Sequence, residues 1–443
     1  MVCVSNFDSI GRTRKHEVVL DCLVAGIEAA RPERVLADEL SLSGDRLGVA
    51  GSSYSLDDYR EVVLLGGGNA AGAVAAEIEA RLGDAVDDGI VVTDDPVPAD
   101  RIDVVEGSHP VPDEAAESGA RRVLQRALGA DDQTLVVALV SGGGSALLPA
   151  PAGSLTLEHV RATTEGLIES GAAIEEINAV RKHCSAIKGG QLATAAAPAT
   201  VVTLVFSDVI GNDLSTIASG PTEPDPTTYA DALSVLDRHD VAVPAAVRSH
   251  LKAGESGELD ETPGPAVDFS HVDSHVLADA WTAIDSAREV AVEAGYEDAV
   301  LSSRVRGEAR EQGLAHAAVA EEALASGNPV EPPAAVMSAG ETTVTLRGDG
   351  SGGPNQEFAL RAALELPEGA VLGAVDTDGR DGGTDAAGAL VDAHTVPDVE
   401  SAATARNALA NNDAATFLGR RDALVRTGQT GTNVNDLRVM VLE

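Results

Sequence analysis

The chain has 443 residues, of which 71 are acidic and 31 basic, for a formal net charge of −40. With no basic patch to neutralise phosphates, nucleic acid is excluded as a partner class, and a hydrophobic content of 44 % excludes a globally disordered chain. The length exceeds what one core serves and predicts two domains.

Lysine occurs only at Lys15, Lys182, Lys188 and Lys252. This Lys-poor, acidic balance fits a halophilic cytoplasm at molar salt, where the screening length falls to ~3 Å and self-repulsion is damped. Cys3, Cys22 and Cys184 are far apart and form neither a disulfide framework nor a CxxC metal site, and Cys184 reads as a small buried residue. The N-terminal segment lacks the apolar core of a signal peptide, and no apolar run reaches the ~18 residues of a membrane span. A cytoplasmic protein without a membrane partner is expected.

In chain order, Val19, Leu20, Leu23, Val24, Ile27 and Ala30 follow helical spacing until Pro32 ends it. Glu61–Leu65 reads as a buried strand. Gly66-Gly67-Gly68-Asn69 follows it, then a helix with Val74, Ile78 and Leu82 on one side. Ile90–Val92 is a strand, Asp113–Leu128 a helix, and Thr134–Val140 a strand that opens into Ser141-Gly142-Gly143-Gly144-Ser145. Val201–Phe206 is another buried run. Uniformly apolar strands alternating with helices predict a parallel sheet covered on both faces. The stretch KAGESGELDETPGPAV (252–267) is polar, acidic and rich in Gly and Pro, and reads as a surface excursion near a domain boundary. Beyond it, helices at 279–294, 308–325 and 355–364 and strands at 299–302, 335–337, 342–346, 370–375 and 437–442 make a second α/β half.

Strand C-termini are where open α/β sheets bind ligands, and glycine lets the main chain touch an anion directly. Both glycine loops stand at such positions, and Ser141 and Ser145 add hydroxyls. No GxxxxGK[ST] P-loop occurs, which excludes the ordinary NTPase cradle. Gly66–Ala71 satisfies the weaker G-x-G-x-x-A dinucleotide pattern, but the acidic pair Asp94-Asp95 lies nearer about thirty than about twenty residues downstream, so a dehydrogenase stays open. Arg181, Lys182 and Lys188 cluster within eight residues and suit an anion site for carboxylate or phosphate. Asp208 and Asp213 follow one strand and Asp376, Asp378 and Asp381 another, where carboxylates can hold Mg²⁺ or deprotonate a hydroxyl.

HPVPDE (109–114), SGGGSALLPAP (141–151), SGAAIEEINAVRKHCSAIKGGQLA (170–193), FSDVIGNDLSTIASGPTEPDPTT (206–228), GEAREQ (307–312), SAGETTVTLRGDGSGGPNQEFAL (338–360), DTDGRDGGTDAAGA (376–389) and TGQTGTNVNDL (427–437) together resemble the glycerate 2-kinase family, whose C-terminal domain is of the MOFRL type and which is also linked to hydroxypyruvate and tartrate metabolism. The resemblance implies an α/β protein of two domains. These are a Rossmann-like parallel sheet flanked by helices over 1–252, the excursion at 253–269, and a C-terminal α/β domain over 270–443 that includes the MOFRL region from about 334. It implies Mg²⁺-requiring, ATP-dependent phosphorylation of D-glycerate at its 2-hydroxyl, with ATP and glycerate as small-molecule partners, and is compatible with a homodimer.

On this resemblance Gly66, Gly67, Gly68, Asn69, Ser141, Gly142, Gly143, Gly144 and Ser145 would line the nucleotide. Arg181 and Lys188 would face the substrate carboxylate or the transferred phosphoryl group. Asp208 and Asp378 would act in catalysis, with Asp208, Asp213 and Asp378 as metal ligands, while Asn355, Gln356, Glu357, Asn433 and Asp436 would contact substrate. The chain departs from the family pattern at Asn69 and Pro354, where a Lys and an Arg are usual, and at Gln429, where Pro is usual. Three activities therefore stand open: a kinase in which Arg380, another basic residue or a bound cation supplies the missing charge, an inactive nucleotide-binding relative, and an NAD(P)H-dependent hydroxypyruvate reductase.

Overall fold

A computed structural model describes residues 2–443, which divide into two compact units: Val35–Leu277, and the segment up to Arg34 together with Ala278–Glu443. Among the described residues, no helix is long and apolar enough to cross a membrane.

The Val35–Leu277 unit carries a six-stranded sheet in the order Ile102–Glu106, Asp88–Thr93, Glu61–Gly67, Thr134–Ser141, Thr200–Phe206, Val272–Ala278. The first five pair in parallel. Alternate residues of the central strands pack on opposite sides. Val63, Leu65, Val136 and Ala138 share a core with Ala116, Ala120, Val123 and Ala127 of the helix Glu114–Ala127. Val62, Leu64 and Val137, which point the other way, are buried as well, so both faces are covered, as an all-parallel sheet requires. From Glu61–Gly67 the chain winds outward to one edge, then returns to place Thr134–Ser141 on its other side. The direction reversal therefore falls between the two strands that end in glycine, and the crevice of a doubly wound sheet opens there. A meander of Leu40–Ser43, Arg46–Val49 and Ser52–Ser55 precedes this sheet.

The excursion lies inside the Val35–Leu277 unit, shortly before the division that follows Leu277. Asp225 N donates to Pro263 O at 2.8 Å, Tyr229 N to the Glu261 carboxylate at 3.1 Å, and the chain runs on into Val272–Ala278 at the edge of the same sheet.

The first helix, Arg14–Ala29, belongs with the C-terminal half rather than with the N-terminal domain in which the sequence reading grouped it. Its apolar face closes on the strands through one glycine on a strand, Gly373, and one on the helix, Gly26. A Cβ at Gly373 would lie 2.7 Å from Leu23 and Val19, and one at Gly26 would lie 2.5 Å from Leu437. Thr432 Oγ1 closes the contact by donating to Ala30 O at 2.6 Å. The sheet of this unit runs Glu297–Glu308, Ala334–Thr343, Asp436–Leu442, Ala370–Asp376, Gly388–Asp392, Leu424–Val425. It is mixed: the C-terminal strand inserts antiparallel between its two neighbours. The two strands expected at 335–337 and 342–346 are one, Ala334–Thr343.

Gly66 shows how tight the switch point is. Its φ is +146°, and a Cβ there would lie 1.9 Å from the Leu139 carbonyl oxygen of the neighbouring strand. Gly66→Ala is expected to destabilise the protein by about 2–4 kcal/mol through backbone strain and overpacking, whereas Gly129→Ala, with contacts no closer than 3.5 Å, should stay within about 0.5 kcal/mol. Urea unfolding of the two variants measures the difference.

Candidate active site

The two glycine loops at the switch point have different work. In Gly66–Ala70 the amides are committed inside the protein. Gly68 N donates to Val92 O at 3.0 Å, Asn69 N to Gly142 O at 2.8 Å, and Ala70 N to Ser141 Oγ at 3.2 Å. Gly66, Gly67 and Gly68 are buried, and a Cβ at Gly68 would lie 2.1 Å from Ser141 Oγ. These glycines let one strand end lie on the other and offer no free amide to a phosphate, contrary to the nucleotide contact expected of them. Ser141, with its hydroxyl held by Ala70, is also structural.

The second loop keeps its donors. Gly143 caps a short helical turn, Gly144–Leu147, in the left-handed conformation at φ +74°, and the amides that open such a turn have no intrahelical acceptor. Gly142 and Gly143 are glycine because side chains stand over them. A Cβ at Gly142 would lie 1.9 Å from Asp208 Oδ2, and one at Gly143 would lie 1.6 Å from Asn69 Oδ1. Asn69 Oδ1 is buried and has no hydrogen-bond partner, so a neutral amide points at the loop where the family pattern has a cation. Behind the loop, Ala218, Ser219 and Gly220 hold positive φ values of 50°, 62° and 60° in succession. Ser219 Oγ bonds Ser145 Oγ at 2.8 Å and donates to Asn178 Oδ1 at 3.0 Å. This strained segment fixes Ser145 and Gly144 from below. Neither Ser219 nor Asn178 was singled out from sequence, although both lie in quoted motifs.

Beside the loop is a cavity of about 230 Å³ whose lining includes Gly143, Ser145, His109, Arg181, Ser185 and Lys188. Arg181 and Lys188 reach it from a helix end and the turn after it, Ile174–His183 and Gly189-Gly190 bounding that segment. Among the described residues the Arg181 side chain makes no ion pair or hydrogen bond, and burial depresses its pKa. Lys188 is 4 % exposed and donates to Leu148 O at 2.7 Å. Burial first, and the Arg181 charge second, pull its pKa down to about 7. Two cations thus face one cavity without a carboxylate between them. Lys182, expected to join this anion cluster, turns away into a buried pair with Asp225 at 3.3 Å. Cys184 lines the cavity as an inert thiol, pushed up to about 12 by burial.

Asp208 follows the strand Thr200–Phe206 and lies over the phosphate-type loop; burial raises its pKa to about 6. Asp213 is exposed, and both its oxygens accept from the next turn: Ser215 N at 3.0 Å, Ser215 Oγ at 2.9 Å and Thr216 Oγ1 at 2.9 Å. It caps that turn with three of its acceptor positions taken.

The C-terminal unit gathers Asp376, Asp378, Asp381 and Asp436. Asp376 and Asp436 are direct partners across antiparallel strands. Burial, and then the charges of Asp378 and Asp436, hold the Asp376 carboxyl well above its ordinary range; burial also raises Asp378. Asp381 accepts from Asn355 N at 2.9 Å and Gln356 N at 2.8 Å, which caps the helix Pro354–Ala363. Pro354 sits at the first position of that helix, where a missing N–H costs nothing. Of the expected substrate contacts, Asn355 and Asp436 meet each other at 2.6 Å. Gln356 turns to Thr384. Glu357 is 1 % exposed and bound to Arg310 at 2.9 Å and Asn412 at 2.6 Å, so it braces the fold instead of facing a ligand. Asn433 accepts from Asn435 N at 3.0 Å within its own turn. Arg380 is exposed. Among the described residues, no three His, Cys, Asp or Glu side chains form a group that could hold a metal ion; the expected set of Asp208, Asp213 and Asp378 is divided between the two units.

Residues 18–252 match the model of a domain of unknown function, DUF4147, and residues 334–436 match the MOFRL family. The chain is 37 % identical to a glycerate 2-kinase of Pyrococcus horikoshii over 96 % of its own length and 97 % of that protein. It is 43 % identical to a putative hydroxypyruvate reductase of Agrobacterium vitis over 86 % of its own length and 87 % of that protein. The crystal structure of a Thermotoga maritima glycerate kinase superposes with a TM-score of 0.83 at 36 % identity, covering 96 % of this chain and 99 % of that one.

An anion entering the cavity offsets both causes that depress Lys188, and so raises its pKa from about 7. Pyrophosphate binding at pH 8 is therefore expected to take up a proton, with the uptake lost in Lys188→Met. Calorimetry in buffers of different ionisation enthalpy reads the proton count, and uptake unchanged in Lys188→Met would remove Lys188 from the site.

Proposed function

The chain belongs to the glycerate kinase family that the DUF4147 and MOFRL models describe, and from that membership we propose that it transfers the γ-phosphoryl group of ATP to the 2-hydroxyl of D-glycerate, giving 2-phosphoglycerate and ADP. The observation that carries this reading is the pair Arg181 and Lys188, two cations without a carboxylate partner in one cavity with the open amides of the Gly143–Ser145 loop.

Phosphoryl transfer needs little covalent help from a protein and much positioning and charge stabilisation. The Gly143–Ser145 amides hold phosphate oxygens, while the Ser145 hydroxyl is spent on Ser219. Arg181 presents a planar fork to carboxylate or phosphoryl oxygens, and Lys188 gains its full charge as the anion arrives. Asp208, with its pKa near 6, is ionised at neutral pH yet basic enough to accept the hydroxyl proton.

Mg²⁺ is usually held by one or two carboxylates together with substrate phosphates, so a site with fewer than three protein ligands fits the family's requirement. Asp376 and Asp378, hard oxygen donors whose ionisation is opposed first by burial, are the residues that would hold it. When bound, the ion neutralises phosphate charge. A reductase reading is less well supported, because the loop that satisfies the dinucleotide pattern has spent its amides on Val92, Gly142 and Ser141.

Purified protein with ATP, Mg²⁺ and D-glycerate is expected to feed enolase directly, without phosphoglycerate mutase, and to leave NADH unoxidised in the presence of hydroxypyruvate. Arg181→Gln and Asp208→Asn should each lower kcat/KM by about 10²-fold or more. Because the base must be ionised, wild-type activity should fall as pH drops through about 6, and Asp208→Asn should lack that limb. Wild-type turnover in folded Asp208→Asn would remove it as the base, and NADH oxidation without kinase activity would overturn the assignment.

A further inference from the structure

A second cleft, wholly within the C-terminal unit, has a sign opposite to that of the molecule. Its volume is about 300 Å³, and Arg310, Arg347, Arg361 and Arg406 line it with a single acidic residue, Glu365. In a chain of net charge −40, four guanidinium groups drawn from four separate segments are not a local run of basic sequence. Arg310 stands at the start of the helix Ala309–Ser326, Arg347 in the loop after the strand Ala334–Thr343, Arg361 in the helix Pro354–Ala363, and Arg406 in the helix Val399–Ala410. The fold assembles them.

Their pairing is uneven. Arg310 is neutralised by Glu357 at 2.9 Å and Glu308 at 3.0 Å. Arg361 reaches Glu365 only at 3.5 Å. Arg347 and Arg406 are both exposed, and among the described residues their side chains make no ion pair and no hydrogen bond. The floor consists of Leu364, Leu409 and Ala410, which strengthens charge interactions above it and offers no aromatic face for a base. The frame is rigid. Asn412 Oδ1 accepts from Arg347 N at 2.6 Å and from Gly348 N at 3.1 Å, while its Nδ2 donates to Glu357 Oε1 at 2.6 Å, and Glu357 in turn holds Arg310. The loop bearing Arg347 is thereby fixed against the helix bearing Arg361 before any ligand arrives, which lowers the cost of binding.

We propose that this cleft binds a phosphate compound carrying at least two negative charges, through the guanidinium forks of Arg347, Arg406 and Arg361. Guanidinium matches phosphate oxygens in pairs and stays charged at every working pH. This site shares no residue with the Arg181 and Lys188 cavity and does not rest on the kinase assignment.

The test is calorimetric titration of the full chain with pyrophosphate. Wild type is expected to bind two equivalents. Arg347→Glu/Arg406→Glu should bind one, Arg181→Gln/Lys188→Gln should bind the other, and the combination of all four should bind none. The milder Arg347→Gln/Arg406→Gln pair, read in the Arg181→Gln/Lys188→Gln background, should weaken the remaining site at least tenfold, with circular dichroism confirming the fold. A parallel titration with 2-phosphoglycerate separates the two sources of such an anion, tighter binding of pyrophosphate assigning an inorganic ligand and tighter binding of 2-phosphoglycerate a phosphorylated acid. Unchanged stoichiometry and affinity in the folded Arg347/Arg406 variants, or equal binding of acetate, would overturn the proposal.

Discussion

The site depends on one close approach. Where the sheet of the Val35–Leu277 unit reverses its winding, the ends of Glu61–Gly67 and Thr134–Ser141 lie so near each other that no side chain fits between Gly66 and the Leu139 carbonyl, or between Gly68 and Ser141. Glycine at these positions is a condition for parallel pairing to persist to the strand ends. Once it does, the first loop bonds to the second through Asn69 N and Ala70 N. That division of labour leaves the second loop fixed in place with its own amides free. A preorganised donor set of this kind is worth more than a flexible one, since no ordering cost remains when charge arrives.

Electrostatics around the loop follow the same logic of groups left unpaired. Lys182 and Asp225 satisfy each other in the interior, with Thr227 and Thr262 filling the remaining lone pairs, and such a fully satisfied pair contributes to specifying the fold. Arg181 and Lys188, adjacent in the same segment, are denied carboxylates. Desolvated cations side by side raise the energy of the empty cavity, visible in the Lys188 pKa near 7, and an anion relieves it. In the C-terminal unit Asp376 is buried beside the carboxylates of Asp378 and Asp436, which hold its pKa up, while the Arg380 charge acts on Asp378.

The parallel sheet was legible because its strands are uniformly apolar and end in glycine, a pattern carried by consecutive residues. Its neighbour was less so. Leu40–Ser43, Arg46–Val49 and Ser52–Ser55 pair through two-residue turns at Gly44-Asp45 and Ala50-Gly51, a hairpin signal present in the sequence but masked by serine where β-branched residues usually stand. The placement of Arg14–Ala29 on the far unit was not legible, because periodicity tells that a helix has an apolar face and not which sheet covers it. Gly26 and Gly373, which let that contact close, read as unremarkable from sequence. The anion pair was half legible: three cations within eight residues were evident, but which one turns inward depends on Asp225, far along the chain. Glu357 was misplaced for a related reason. It lies within a dense polar motif, yet its position on the helix aims it at Arg310 and Asn412.

The neutral residues at Asn69 and Pro354 sharpen where positive charge must come from. Pro354 occupies the first position of a helix whose next two amides are capped by Asp381; that geometry suits proline and would hold an arginine backbone equally, so the exchange removes a charge without disturbing the fold. Asn69 Oδ1 stands over Gly143 without a donor, and an amide so placed meets an anion favourably only when its NH₂ edge faces it. Rotation about the side-chain amide supplies that edge, and the neutral hydrogen bond it can make is roughly half as strong as the charged contact of a lysine. Within the Val35–Leu277 unit, then, the basic side chains nearest to supplying that charge in the cavity are Arg181 and Lys188. A lysine whose pKa lies near 7 is only partly charged in the empty cavity at neutral pH, and an anion beside it raises that fraction. On the proposed kinase reading, the charge absent at Asn69 is thus completed at Lys188 by the phosphate itself.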